Sequence, residues 1–271
     1  MAGLSRLLVP GGLVVAGLLR AGPVAAQQSN GSGPALTWAL DTLRSGFCIH
    51  FLVDPAASPP GLFRGVGQRP ASATPELHPA LRRTIEGSPE LAEWVPQRFC
   101  VLQFSAIRVG ERELRDLKHG RPQVVATWST STEPETPGSV VLIVNNSRLC
   151  NSLKSIGMHA DRIRCEFGKV PGSSDDRYQI RYDRTTLVWD GRTTGDSTAA
   201  PATIPGWVAR GRGGRLLAVH QQLEPVGARL MVGALRIEGK GELARALSAS
   251  PIRYVGPIIW GGSGTMTFAA R

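Results

Sequence analysis

Two stretches carry the clearest alternation of apolar and polar positions. In Ser45–Asp54 (SGFCIHFLVD), an extended chain places Phe47, Ile49, Phe51 and Val53 on one face and Cys48, His50, Leu52 and Asp54 on the other. Arg98–Val109 (RFCVLQFSAIRV) also opens on a Phe-Cys pair and continues through β-branched and aromatic residues. Both runs have the composition of strands. Because both faces of the first are mainly apolar, it is predicted to lie inside a sheet rather than at its edge.

Weaker runs follow. Gln123–Ser129 and Ser139–Val144 read as strands around a Pro/Glu/Thr-rich loop at 131–138. Ile163, Cys165 and Phe167 alternate with Arg162, Arg164 and Glu166, and Tyr178, Ile180 and Tyr182 alternate with Arg177, Gln179, Arg181 and Asp183. Each pattern predicts a strand with one wet face. A turn at Asp183–Thr185 leads into Thr186–Trp189 as a hairpin. Trp207–Ala209, Leu216–Leu223, Leu230–Glu238, Ile252–Trp260 and Met266–Ala269 supply further strands.

Helical spacing is sparser. Leu36, Leu40 and Leu43 fall at i, i+4 and i+7 ahead of Gly46 and predict a short helix feeding the first strand. Leu77, Leu81 and Ile85 predict another, and Ser88-Pro89-Glu90 has the capping residue and early proline of a helix start. Glu111–His119, Ser147–Gly157 and Glu242–Leu247 complete the set. Residues 55–75 form a Pro/Gly/Ala/Ser-rich loop, and Asp190–Gly206 is the best linker candidate. The sum is a mainly β fold, an antiparallel sandwich or barrel-like sheet with a few short helices, with α+β as the alternative. Residues 36–271 are expected to form a single domain, with a possible subdivision near 190–206.

The N-terminus changes the compartment. Arg6 precedes the apolar run Leu7–Leu19, and Val24-Ala25-Ala26 offers small residues for cleavage, so residues 1–26 read as a signal peptide. The run is shorter than the ~20 residues a bilayer-spanning helix needs. Gln27–Pro34 is Gln/Ser/Gly-rich and gives a disordered lead-in over 27–35. The mature chain is expected to be exported, periplasmic or extracellular, with no transmembrane segment after signal removal. A membrane β-barrel is not expected, because the patterned strands are short and interrupted by proline. In an oxidising compartment four cysteines imply two disulfides, and sequence order favours Cys48–Cys100 and Cys150–Cys165. No close Cys-x-x-Cys pair is present, so no metal site is predicted.

Charge adds one question. The formal net charge is +10, and of 31 basic residues only Lys118, Lys154, Lys169 and Lys240 are lysine. Scattered arginine beside abundant Ala, Gly and Pro reads first as bacterial genome composition. Its functional counterpart is attraction to an anionic envelope polymer or lipid. The densest basic spot is Arg210, Arg212 and Arg215 in a glycine-rich turn, read either as an exposed hairpin or as an anion-binding loop. Nucleic acid is not an expected partner, since aromatics are not interleaved with the basic residues.

Catalytic signals are thin. His50 and Asp54 would lie ~13 Å apart along a strand, which excludes a direct dyad. Gly195-Asp196-Ser197 matches three residues around the nucleophile of chymotrypsin-like serine proteases, but Thr198-Ala199 follow where that family has two glycines. His50 and Ser197 stand as the catalytic candidates. No cofactor loop is present, so no cofactor is predicted. The expectation is an exported bacterial envelope protein with a non-catalytic binding or structural role. The alternatives are a secreted hydrolase and a carbohydrate-binding module presenting Trp128, Trp189, Trp207 or Trp260.

Overall fold

A computed structural model of the chain describes residues 36–57, 63, 67–75, 77–114, 121–132, 140–158, 160–169, 172, 175–198, 202–210 and 216–270. The predicted signal segment (1–26) and lead-in (27–35) lie outside these residues. Strands dominate. The first half of the chain gives β1 (Leu36–Val53), β2 (Val95–Val109), β3 (Arg112–Leu114), β4 (Gln123–Thr130), β5 (Val140–Val144), β6 (Ala160–Arg162) and β7 (Arg164–Lys169). The second half gives β8 (Asp176–Tyr182), β9 (Thr185–Thr198), β10 (Ala202–Arg210), β11 (Leu216–Glu224), β12 (Gly227–Gly239), β13 (Arg253–Val255), β14 (Ile258–Trp260) and β15 (Ser263–Ala270). Among the described residues three short helices accompany them: α1 (Pro79–Gly87), α2 (Ser147–Ser155) and α3 (Glu242–Ala249). The strands form a nearly closed, barrel-like sheet, mainly β as the alternation requires.

The central path of the sheet runs β6-β5-β4-β2-β1-β14-β12-β9-β8-β7, and every pairing along it is antiparallel except β5–β6. β1 and β2 are its spine, paired from Trp38–Val109 to Val53–Val95. Each serves two separate apolar clusters. Phe47, Ile49, Phe51, Phe99 and Val101 join Trp128, Tyr178, Ile180, Trp189 and α3 residues in the first cluster. Trp38, Leu40, Leu43, Phe104 and Ile107 join Leu149, Leu217, Val219 and Phe268 in the second. A smaller third cluster packs Leu52 under Leu77, Leu81 and Leu91.

The switch between clusters corrects the predicted helix over Leu36–Leu43. These residues are the first part of β1, with Trp38 as well as Leu40 buried. Thr42 has φ 43° and the register with β2 shifts between Leu43 and Ser45. A bulge of this kind changes the parity of inward positions. Leu36, Leu40 and Leu43 therefore imitate helical spacing while remaining on a strand.

Other departures are local. Glu111–His119 is not a helix where it is described: Gly110, at φ 60°, turns the chain so that β3 pairs back onto β2, and 115–120 lie outside the described residues. Pro89–Glu93 is a 3-10 turn, and Ser88 makes no side-chain cap. Within the predicted linker Asp190–Gly206, β9 continues to Thr198 in register with β12, and β10 begins at Ala202. The other helices form as predicted, α2 being capped by the Asn146 side chain, which accepts from Arg148 N–H.

Cys48 and Cys100 are direct partners across β1 and β2 and are joined by a disulfide. The predicted Cys150–Cys165 link is absent, and both thiols are free. α2 carries Cys150 into the second cluster, whereas β7 sets Cys165 against the first, so the two sulfurs belong to different cores. Burial pushes both thiols up in pKa. Among the described residues no helix is long and apolar enough to cross a membrane.

Candidate functional site

The two wet faces legible in the sequence meet. Antiparallel pairing of β7 and β8 places Cys165 opposite Ile180 on the inner side and Arg164 directly opposite Arg181 on the outer side. The chain then reverses through Asp183 and Arg184, at φ 42° and 54°, with Tyr182 and Thr185 closing the two-residue turn. Two consecutive left-handed residues are what a tight hairpin of this hand needs. Arg162, at the end of β6, and Arg184, in the turn, complete the rim.

The result is an open cleft of about 480 Å³ lined by Arg162, Ile163, Arg164, Arg181, Tyr182, Asp183, Arg184, Thr185 and Thr186. Like charges directly opposite on neighbouring strands repel. None of the four arginines takes part in an ion pair among the described residues. Ion pairs elsewhere join Arg108 to Asp41, and Arg177 and Arg236 to Asp190. Arg181 is oriented by Gln179: with the amide oxygen turned toward the guanidinium, that oxygen accepts from Nη2 at 2.8 Å and Nε at 3.1 Å.

Asp183 is already engaged. Its Oδ2 accepts from the Glu242 backbone N–H, and Thr185 Oγ1 accepts from that of Ala244. The turn thus caps α3, whose own N-cap is Gly241. A Cβ at Gly241 would collide with the Asp183 carbonyl, so glycine is required for this approach. The helix thereby holds two residues that line the cleft.

Tyr182 also lines the cleft, 7% exposed, and its hydroxyl donates to Asp161 Oδ2 at 3.1 Å. Burial raises the phenol pKa strongly, and the Asp161 carboxylate beside it adds to the effect. Thus Tyr182 stays protonated at neutral pH, its hydroxyl held by the Asp161 carboxylate.

The residues singled out in the sequence are not brought together. His50 pairs with Arg98 on β2 and Tyr254 on β13. Its ring lies 4.3 Å from that of His78, which in turn lies 4.5 Å from Tyr254. Ser197 occupies β9 opposite Ala228, and its side chain lies outside the described residues. The row Gly46–Ile259–Ala228–Ser197 puts Ser197 three strands from β1 and four residues along from His50. At ordinary strand spacings the two are on the order of 20 Å apart. Asp54 turns away to accept from Ala56 N–H. The His50–Asp–Ser197 constellation does not assemble around these residues.

Arg210 ends β10, its side chain outside the described residues, as are Arg212 and Arg215 entirely. Among the described lysines, Lys154 and Lys240 are exposed. The aromatic platform of a carbohydrate-binding module is also missing where it can be described. Trp128 is fully buried and donates to Gln97 Oε1, Trp189 is buried against Met231, and Trp260 is covered by the Arg229 guanidinium at 4.5 Å.

No protein family matches the chain, and no curated protein does. Several solved structures are similar. The enduracididine biosynthesis enzyme MppR complexed with pyruvate is 12% identical, with a TM-score of 0.49 over 90% of this chain and 92% of that one. Acetoacetate decarboxylase from Legionella pneumophila is 11% identical, with a TM-score of 0.46 over 88% and 86%. An acetoacetate decarboxylase-like enzyme from Sphingomonas wittichii is also 11% identical, with a TM-score of 0.45 over 87% and 91%. The comparisons go against the expectation of a non-catalytic binding or structural protein to this extent, that the three similar structures are named as enzymes. At this identity the likeness transfers no residue role.

Proposed function

We propose that the chain is an exported enzyme performing acid–base chemistry on a small carboxylate- or phosphate-bearing substrate in the arginine cleft. One observation carries the reading. A buried tyrosine of raised pKa, hydrogen-bonded to a carboxylate, lines a cleft whose other lining residues include four arginines outside any described ion pair. A strongly perturbed titratable group in a cleft, beside groups able to stabilise negative charge, is the physical signature of a reaction site.

The roles follow from the geometry. Arg164 and Arg181 present two forks to one anion, the arrangement suited to carboxylate or phosphate. Arg162 and Arg184 stabilise negative charge that develops on the substrate. Tyr182 relays a proton: its oxygen accepts one from the substrate as its own passes to Asp161. Export is supported by the predicted signal segment and by the Cys48–Cys100 disulfide, which persists in an oxidising compartment.

The test is solvent-deuterium incorporation, followed by NMR, into a panel of 2-oxo and 3-oxo acids and hydroxy acids. The full chain is expected to exchange at least one of them, and Tyr182→Phe to lose exchange by 100-fold or more, the usual range for a proton-transfer group. Exchange unaltered by Tyr182→Phe, or no exchange across the panel, contradicts the reading.

A further inference from the structure

The inner face of β11 alternates Leu217, Val219, Gln221 and Leu223, and all four are buried. Gln221 is the exception in chemistry, a polar side chain with 2% of its surface exposed beside three buried apolar ones on the same strand face. Strand register explains its neighbours. Gln221 lies opposite Met266 on β15, and Met266 lies opposite Trp38 on β1. The three form one buried row across three strands.

Three polar atoms in this row have no hydrogen-bond partner among the described residues: Gln221 Oε1, Gln221 Nε2 and Trp38 Nε1. Trp38 cannot turn freely to find one, since its ring stands edge-on to Phe268 at 4.9 Å. Buried amide and indole groups are almost always paired, because removing them from water unpaired is costly. An amide orphaned at both ends, two strands from an orphaned indole N–H, therefore marks a place for something outside the protein chain.

We propose that the second apolar cluster holds a neutral, mainly apolar small molecule bearing a hydroxyl or amide. The inventory of unpaired groups sets its chemistry. Two N–H groups ask for an acceptor and one carbonyl oxygen asks for a donor. Hydroxyls and amides supply both. Among the described residues no charged side chain is buried, so an ionised guest would lack a buried counter-charge. Leu40, Leu217, Val219, Leu223, Met266 and Phe268 would surround its apolar part. The site is independent of the arginine cleft, whose buried lining residue Tyr182 belongs to the first cluster.

Native mass spectrometry of the purified full chain, followed by denaturation and analysis of what is released, tests the proposal. N-phenyl-1-naphthylamine, a neutral apolar fluorophore with one N–H, serves as the added probe. The wild type is expected to carry a small-molecule adduct or to bind the probe saturably at one per chain. Gln221→Met is expected to lose the adduct and bind the probe at least tenfold more weakly, and Trp38→Phe to weaken it less. Wild-type protein at its bare chain mass, without saturable probe binding, overturns the proposal. A melting temperature raised by Gln221→Met would accompany that result, since removing an unpaired amide from a dry core is stabilising.

Discussion

His50 shows how one side chain can mislead and inform together. In the sequence it is a polar residue on an otherwise apolar strand face, open to a catalytic reading. In the fold it is half-buried beside the rings of His78 and Tyr254 and the cross-strand Arg98. Burial lowers its pKa to about 3, with the nearby charges of His78 and Arg98 contributing, and burial then Arg83 lower that of His78. Unfolded histidine titrates near 6.5. Both groups therefore bind protons more readily when unfolded, and folding stability rises with pH wherever that difference exists. Their contribution is complete above about pH 6.5 and falls as pH drops toward 3. Urea midpoints measured between pH 7.5 and 4.5 are expected to fall with pH, and His50→Phe is expected to flatten the profile. An unchanged slope in His50→Phe would remove His50 from the account. The alternation around His50 was legible. The His78 ring above it was not, because a residue 28 positions away enters through a helix cap rather than a local pattern.

At the scale of elements, the most informative miss is the start of β1. Leu36, Leu40 and Leu43 fit a helix by count, and only the positive φ at Thr42 with the register shift between Leu43 and Ser45 reconciles that count with a strand. Trp38, buried two residues from each of Leu36 and Leu40, was the available signal for period two. The same strand holds the feature that sequence order read correctly, the Cys48–Cys100 bond between register partners. The predicted second bond failed because spacing cannot show that α2 and β7 face different cores. The bond closes a separation of 52 residues. Removing it through Cys48→Ala/Cys100→Ala is expected to lower stability by about 4 kcal/mol on the chain-entropy relation. Urea denaturation checks this, and a loss below about 1 kcal/mol would show that β1–β2 pairing already confines the unfolded chain.

For the whole molecule, one sheet encloses more than one interior. β1 and β2 pass from the first apolar cluster to the second, so residues near in sequence serve different cores. The mainly β class was legible from alternation because alternation is local. The cleft was half legible. Arg162, Arg164 and Arg181 were visible as wet-face positions, and the turn at Asp183 was expected. Their convergence depends on β7–β8 register and on α3 seating against the turn, which no single stretch encodes. Gln221 had a signal too: a glutamine where Leu217, Val219 and Leu223 set an inward apolar row. The arginine composition that looked like genomic background includes a local concentration created only by folding.

The central claim is that this concentration is where a substrate anion binds. Calorimetric titration of the full chain with inorganic phosphate at low ionic strength tests it most directly, beside Arg164→Ala/Arg181→Ala and an Arg210→Ala/Arg212→Ala/Arg215→Ala control. The account predicts salt-sensitive binding to the wild type, at least tenfold loss in the cleft variant and none in the control. Equal binding by the wild type and the cleft variant, or a loss confined to the control, would contradict it.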